Sequence, residues 1–170
     1  MSLSDKMTTG DIVLVRGNRF PTSNVIRFIT GSPFTHVGLA IDDETIFEVD
    51  AFERLQRKAI RHDDYIILRL KNHLNSKQKS LLKQCMRQME ANSKGYDWHM
   101  ILSIFVQRLL KIPLRLEDPH RFICSEVVDN LYLALGIDLV PDRDQFISPS
   151  EFLSSDLLEI VFDTQIHTNQ

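Results

Sequence analysis

The chain reads as an α+β domain with a mainly antiparallel sheet and helices packed on one face. Three observations carry this reading. Short β-rich segments crowd the chain up to Leu70, amphipathic helical segments follow, and one more β-rich segment, LLEIVF, returns near the end. Strands followed by helices, rather than alternating with them, mark an α+β fold rather than a doubly wound one. The 170 residues suit one domain, so 1–170 is taken as a single unit with its core over about 10–162.

The elements follow in order. GDIVLV (10–15) is β-rich and enters from a glycine, so it predicts a strand. PTSNVIRFITG (21–31) opens on proline and closes on glycine, which punctuate a helix. THVGLAID (35–42) alternates Val37, Leu39 and Ile41 against His36, Gly38 and Ala40, and TIFEVD (45–50) returns after a DDE turn, so the two predict a hairpin. FERLQRKAI predicts an edge strand, because it carries charge. YIILRL (65–70) predicts a buried one. In SKQKSLLKQCMRQMEANSKG, Leu81, Leu82, Cys85, Met86 and Met89 form an apolar helical stripe. A second helix is expected over YDWHMILSIFVQRLLKI (96–112), stopped by Pro113. A third carries Val127, Val128, Leu131, Tyr132 and Leu135 at helical spacing and ends at Gly136. SPSEFLSS predicts a short helix or turn, and DTQIHTNQ a frayed tail.

Composition removes several function classes. The formal charge is -3, with acids and bases interspersed and no basic block, so no nucleic-acid partner is expected. Two cysteines exclude a disulfide-dense scaffold. MSLSDKMTTGD has no apolar leader, and the longest apolar run, MILSIFVQRLLKIPL, is broken by Gln107, Arg108 and Lys111. No stable membrane insertion is expected, and the cytoplasm is the expected compartment.

The chemistry gathers around FICSEVV. If a helix begins at or just after Cys124, unpaired N–H groups and the positive helix end favour its thiolate. The competing reading is a core thiol, since free cysteine is among the most buried residue types. Cys85 lies on the same stripe as Leu82, Met86 and Met89 and reads as packing. A nucleophilic thiol needs a base. Of the six histidines, His62, His73, His99 and His167 read as solvated or capping residues, and His120 precedes the expected helix. His36 stands apart on its strand beside Gly38 and Ala40, small residues that leave room for a helix to approach. Placing Val37, Leu39, Ile41, Phe47 and Val49 on one face sends His36, Gly38, Ile46, Glu48 and Asp50 to the other. One such register sets Glu48 opposite Gly38 and diagonal to His36, and Asp50 opposite His36, so both carboxylates are candidates to orient the imidazole. Neither a CxxC pair nor HExxH occurs, so no metal and no cofactor is expected.

The segments GDIVLV, SPFTHVGLAID, IFEVD, YIILRL and FICSEVV…LYLALGIDL resemble, in this order, the circularly permuted papain-like enzymes related to the NlpC-type amidases, most closely the YiiX-like subgroup. The lecithin:retinol acyltransferase relatives share the arrangement. In the unpermuted family the cysteine helix comes first; here the GD strand and the histidine strand precede it. The resemblance covers about Gly10 to Val161. It implies a papain-like permuted fold, Cys124 as nucleophile, His36 as general base and Glu48 as the third polar residue, with Asp50 still open. It also offers Tyr96, in GYDW, as a residue that polarises a carbonyl or packs. THV stands where SHV is more usual. The activity implied is a cysteine amidase or peptidase acting on a peptide, amino-acyl or acyl-lipid substrate. Acyl transfer or thioester hydrolysis by the same residues, and a non-catalytic binding domain, are the competing expectations.

Overall fold

The computed structural model describes residues 7–16, 33–49, 55–93, 119–141 and 147–167. Strands β1 (Ile12–Arg16), β2 (Phe34–Ala40), β3 (Thr45–Val49), β4 (Leu55–Ala59) and β5 (Tyr65–Leu70) come first. Helices α1 (Ser76–Ser93) and α2 (Pro119–Ala134) follow, then a 3-10 helix (Pro149–Ser154), β6 (Leu158–Asp163) and one helical turn, α3 (Thr164–His167). The expected helices over 21–31 and 96–112 lie outside the described residues.

The six strands form one sheet in the order β4-β3-β2-β1-β5-β6, with every neighbouring pair antiparallel. The charged segment does make an edge strand, β4, and β6 makes the other edge. Period-2 alternation sorts the side chains of β1. Ile12 and Leu14 join the larger core with Val37, Leu39, Phe47 and Leu68, and Leu82, Met86, Val127, Val128, Leu131 and Tyr132 from the helices complete it. Val13 and Val15 join a smaller cluster with Ala40, Ile46, Ile67 and Phe162, and no helix residue enters that cluster among the described residues. Each fully buried Leu or Met contributes roughly 1.5–3 kcal/mol, so Leu82 and Met86 alone hold α1 firmly to the sheet.

Two local expectations change. Leu81 is 42 % exposed, because the burial stripe of α1 follows Leu82 and Met86 while Cys85 and Met89 flank it. The segment after β6 is anchored where a frayed tail is expected: Thr164 Oγ1 donates to Asp64 Oδ1 (2.9 Å) and accepts the Tyr65 N–H (3.0 Å). Arg16 adds to this corner, bridging Asp64 (2.9 Å) and Asp163 (2.7 Å).

The cysteine helix is held at its C-terminal end. Gly136, at φ +76°, closes it in a left-handed cap, with the Ile137 N–H donating to the Tyr132 carbonyl (3.0 Å). The Tyr132 hydroxyl donates to the Gly10 carbonyl at the entry to β1. Asp11, 1 % exposed, accepts the Thr8 N–H (2.7 Å) and a two-pronged contact from Arg69 (2.9 and 2.7 Å). The GD pair thus fixes the start of β1 and ties it to α2.

Candidate active site

Cys124 lies in the second turn of α2, not at its start. The helix begins earlier because Pro119 suits a first helical position and the residues after it continue the helix. The influence of a helix end fades within its first turn, so the dipole is not what tunes this thiol. Its neighbours are. Cys124 is 5 % exposed, and burial pushes the thiol up. A hydrogen bond and charge from His36, with further hydrogen bonds to the backbone of Val37 and Ser125, outweigh burial and bring the thiol below its ordinary value.

The way β2 and β3 part explains this reach. Their recorded pairing covers only Leu39–Phe47 and Ala40–Ile46, while β2 stays paired to β1 back to Phe34. The Val37 backbone is therefore available to the thiol on that side. Continuing the β2–β3 register by one residue sets Glu48 opposite Gly38. Glu48 then crosses diagonally to His36: the imidazole Nε2 lies 2.8 Å from Glu48 Oε2. Gly38 permits the crossing. A Cβ there would meet Ile46 Cδ1 at 3.4 Å and Glu48 Cβ at 3.5 Å. The small-residue lane therefore admits side chains of β3, where the sequence suggests room for a helix, and α2 packs instead on the Val37 and Leu39 face. With Nε2 taken by Glu48, Nδ1 is the ring nitrogen left for the Cys124 thiol.

Glu48 is the hub of this cluster. Its side chain is 1 % exposed, and Lys58 Nζ lies 2.6 Å from Oε1. A second imidazole, His62 Nε2, lies 3.3 Å from Oε2, and its ring centroid is 5.9 Å from that of His36. A carboxylate so buried is tolerated only with such partners. Burial, then the nearby Arg61 charge, holds the Lys58 ammonium below its usual range. Sequence reasoning missed both residues. Lys58 was findable: β3–β4 pairing sets Gln56 opposite Glu48 and Lys58 opposite Ile46, so Lys58 shares the face of Glu48. His62 follows β4 in a polar stretch with no periodicity to mark it.

The donor atoms of His36, Glu48 and His62 all lie within 4.8 Å of one another, so these three residues could hold a metal ion. Glu126, two residues beyond Cys124 on α2, is pushed up to about 7 by burial and by the charge of Asp129. Asp50 and Tyr96 lie outside the described residues. A cavity of about 300 Å³ opens elsewhere, lined by Gly10, Asp11, Arg69, His73, Leu74 and Tyr132; neither Cys124 nor His36 lines it.

The fold and the site define an α+β protein whose buried thiol, imidazole and carboxylate meet beside an antiparallel sheet. No family model matches the chain, and no curated protein matches it in sequence. Among solved structures it is similar to that of the metalloprotein YiiX from Escherichia coli O157:H7, at 19 % identity and a TM-score of 0.64. The match covers 93 % of this chain and 98 % of that one, so the two share a fold over nearly their whole length. No described helix is long and apolar enough to cross a membrane.

Proposed function

We propose that this protein is a thiol hydrolase of the circularly permuted papain-like type, cleaving an amide bond through an acyl-enzyme on Cys124. One observation carries the reading: a buried thiol held below its ordinary value by His36, whose other ring nitrogen meets a buried carboxylate. The YiiX-like fold and the segment order of the chain agree with it. The Cys124 thiol gives its proton to His36 Nδ1, and the resulting thiolate attacks the carbonyl carbon. The tetrahedral adduct collapses, the C–N bond breaks, and the imidazolium returns its proton to the leaving amine. Water, deprotonated by His36, then releases the acid and restores the thiol. Glu48 fixes the ring with Nε2–H toward itself and stabilises the imidazolium, and Lys58 holds Glu48 from the far oxygen. An amine or lipid hydroxyl in place of water would make the same residues an acyltransferase. Peptide, amino-acyl and acyl-lipid carbonyls are the substrate classes to which the reading applies.

Intact-mass spectrometry after exposure to an activated acyl ester tests it. One acyl adduct is expected, on Cys124, that decays in water and transfers to added glycinamide if an amine acceptor is accepted. The reading fails if no adduct forms, or if Cys124→Ala acquires the same one.

A second reading, metal binding, rests on the same cluster. Two imidazoles and a carboxylate form a donor set that fits Zn²⁺, leaving an open position, and the YiiX structure is that of a metalloprotein. When bound, such an ion supplies positive charge that polarises a carbonyl or acidifies a water.

A further inference from the structure

The same imidazole faces two ways. Its Nε2 edge looks onto Glu48 Oε2, and the Nε2 of His62 faces that same oxygen. Its other nitrogen is left for the Cys124 thiol, which hydrogen-bonds His36. Zinc bonds to nitrogen and carboxylate oxygen at about 2.0–2.2 Å, so tetrahedral donors sit roughly 3.3–3.5 Å apart. His62 and Glu48 already stand 3.3 Å apart, while the 2.8 Å between His36 and Glu48 is a hydrogen bond that would open by roughly half an ångström. Lys58 occupies Oε1, so Glu48 would give one oxygen, Oε2.

We propose that His36 Nε2, Glu48 Oε2 and His62 Nε2 form a divalent-metal site, and that an ion bound there switches off the base of the Cys124 reaction. The inference rests on the proposed thiol chemistry for its consequence, though not for the ligand set. The proton count gives the reason. In the metal-free pair one proton sits on Nε2, toward Glu48, and a second is shared by Nδ1 and the thiol. A metal ligand must offer a lone pair, so binding expels the Nε2 proton to solvent. The remaining proton stays on Nδ1, since removing it would leave an imidazolate. The thiolate then keeps a hydrogen bond, but the ring has no lone pair to accept a proton. It can protonate a leaving amine only by becoming imidazolate itself. Loaded and catalytic states therefore exclude one another. His62 is the residue that the metal needs and amide cleavage does not.

The test uses the full chain with Zn²⁺. Metal is counted after gel filtration, affinity is measured against a chromophoric chelator, and long-range ¹H–¹⁵N spectra of the imidazoles report which ring nitrogen is ligated. One Zn²⁺ per chain is expected, with His36 and His62 both bound through Nε2 and His36 protonated at Nδ1. His62→Ala and His62→Gln should each lose at least about tenfold in affinity, losing one of three ligands, with unchanged circular dichroism. Cys124→Ala should keep it within about threefold. Absent stoichiometric zinc, affinity indifferent to both His62 variants, loss of zinc in Cys124→Ala, or His36 ligated through Nδ1 each overturns the proposal. Zinc bound as described, with no acyl-enzyme formed by the metal-free wild type, would sink the hydrolase reading and leave the ligand set standing, whereas acyl-enzyme turnover in the wild type unchanged by stoichiometric Zn²⁺ would overturn the switch.

Discussion

Replacing Glu126 by Gln tests how deeply the Cys124 helix is desolvated. Burial and Asp129 raise this carboxyl from an ordinary 4.5 to about 7. Its folded pKa therefore lies above its unfolded one, so between these values the folded state holds more protons and stability falls as pH rises. Below about 4.5 both states are protonated and no penalty exists; above about 7 the whole penalty is present. At ~1.36 kcal/mol per pH unit, this gap sets a ceiling of ~3.4 kcal/mol. Glu126 is only partly buried, so solvent screening cuts the expected cost to roughly 1–2 kcal/mol. A glutamine side chain has nearly the same shape and no charge. Urea denaturation at pH 4, 6 and 8 should show Glu126→Gln equal to wild type at pH 4 and more stable by about that amount at pH 8. A constant difference across the three pH values, or a variant less stable at pH 8, would refute the electrostatic argument.

Other expectations concern the scaffold and the base. Glu48→Gln removes the charge facing His36; a hydrogen bond to a charged group is worth about 1.5–3 kcal/mol, so alkylation of Cys124 at pH 7 should slow roughly tenfold to a hundredfold. An unchanged rate would remove Glu48 from the account. Asp11→Ala takes the buried carboxylate from Arg69 and the Thr8 N–H, and loss of one partner of a buried pair costs about 3–5 kcal/mol, with the lower end expected because Arg69 is partly exposed; the urea midpoint reports it. Gly10→Ala places a Cβ 2.5 Å from Leu74 Cδ1 at φ +96°, so about 1–3 kcal/mol of stability should be lost in thermal melts, and a neutral result would contradict the described turn.

Much of this architecture was legible because period-2 and period-3.6 patterns report burial directly. YIILRL is β5 from end to end, and the Val127, Val128, Leu131 and Tyr132 spacing marks the buried face of α2. The hairpin register was legible for the same reason: a slip of one residue would turn Phe47 out of the core and Glu48 into it. The start of α2 was less legible, since the apolar-to-polar switch after Cys124 marks neither the helix start, at Pro119, nor an exposed face, Ser125 being fully buried. His62 was illegible. It reaches Glu48 from a chain segment after β4, and only tertiary folding decides which polar turn residue turns inward. The anchoring of Thr164 was hidden likewise, because its partners Asp64 and Tyr65 are distant in sequence.

The central claim is that His36 activates Cys124, and the pH dependence of thiol alkylation tests it most directly. With Cys85 replaced by Ala, iodoacetamide should label Cys124 with a midpoint below the ~8.5 of a free thiol. His36→Ala should move that midpoint upward, because it removes the interaction that opposes burial. A midpoint at or above ~8.5, unmoved by His36→Ala, would make Cys124 a packed core thiol and contradict the account.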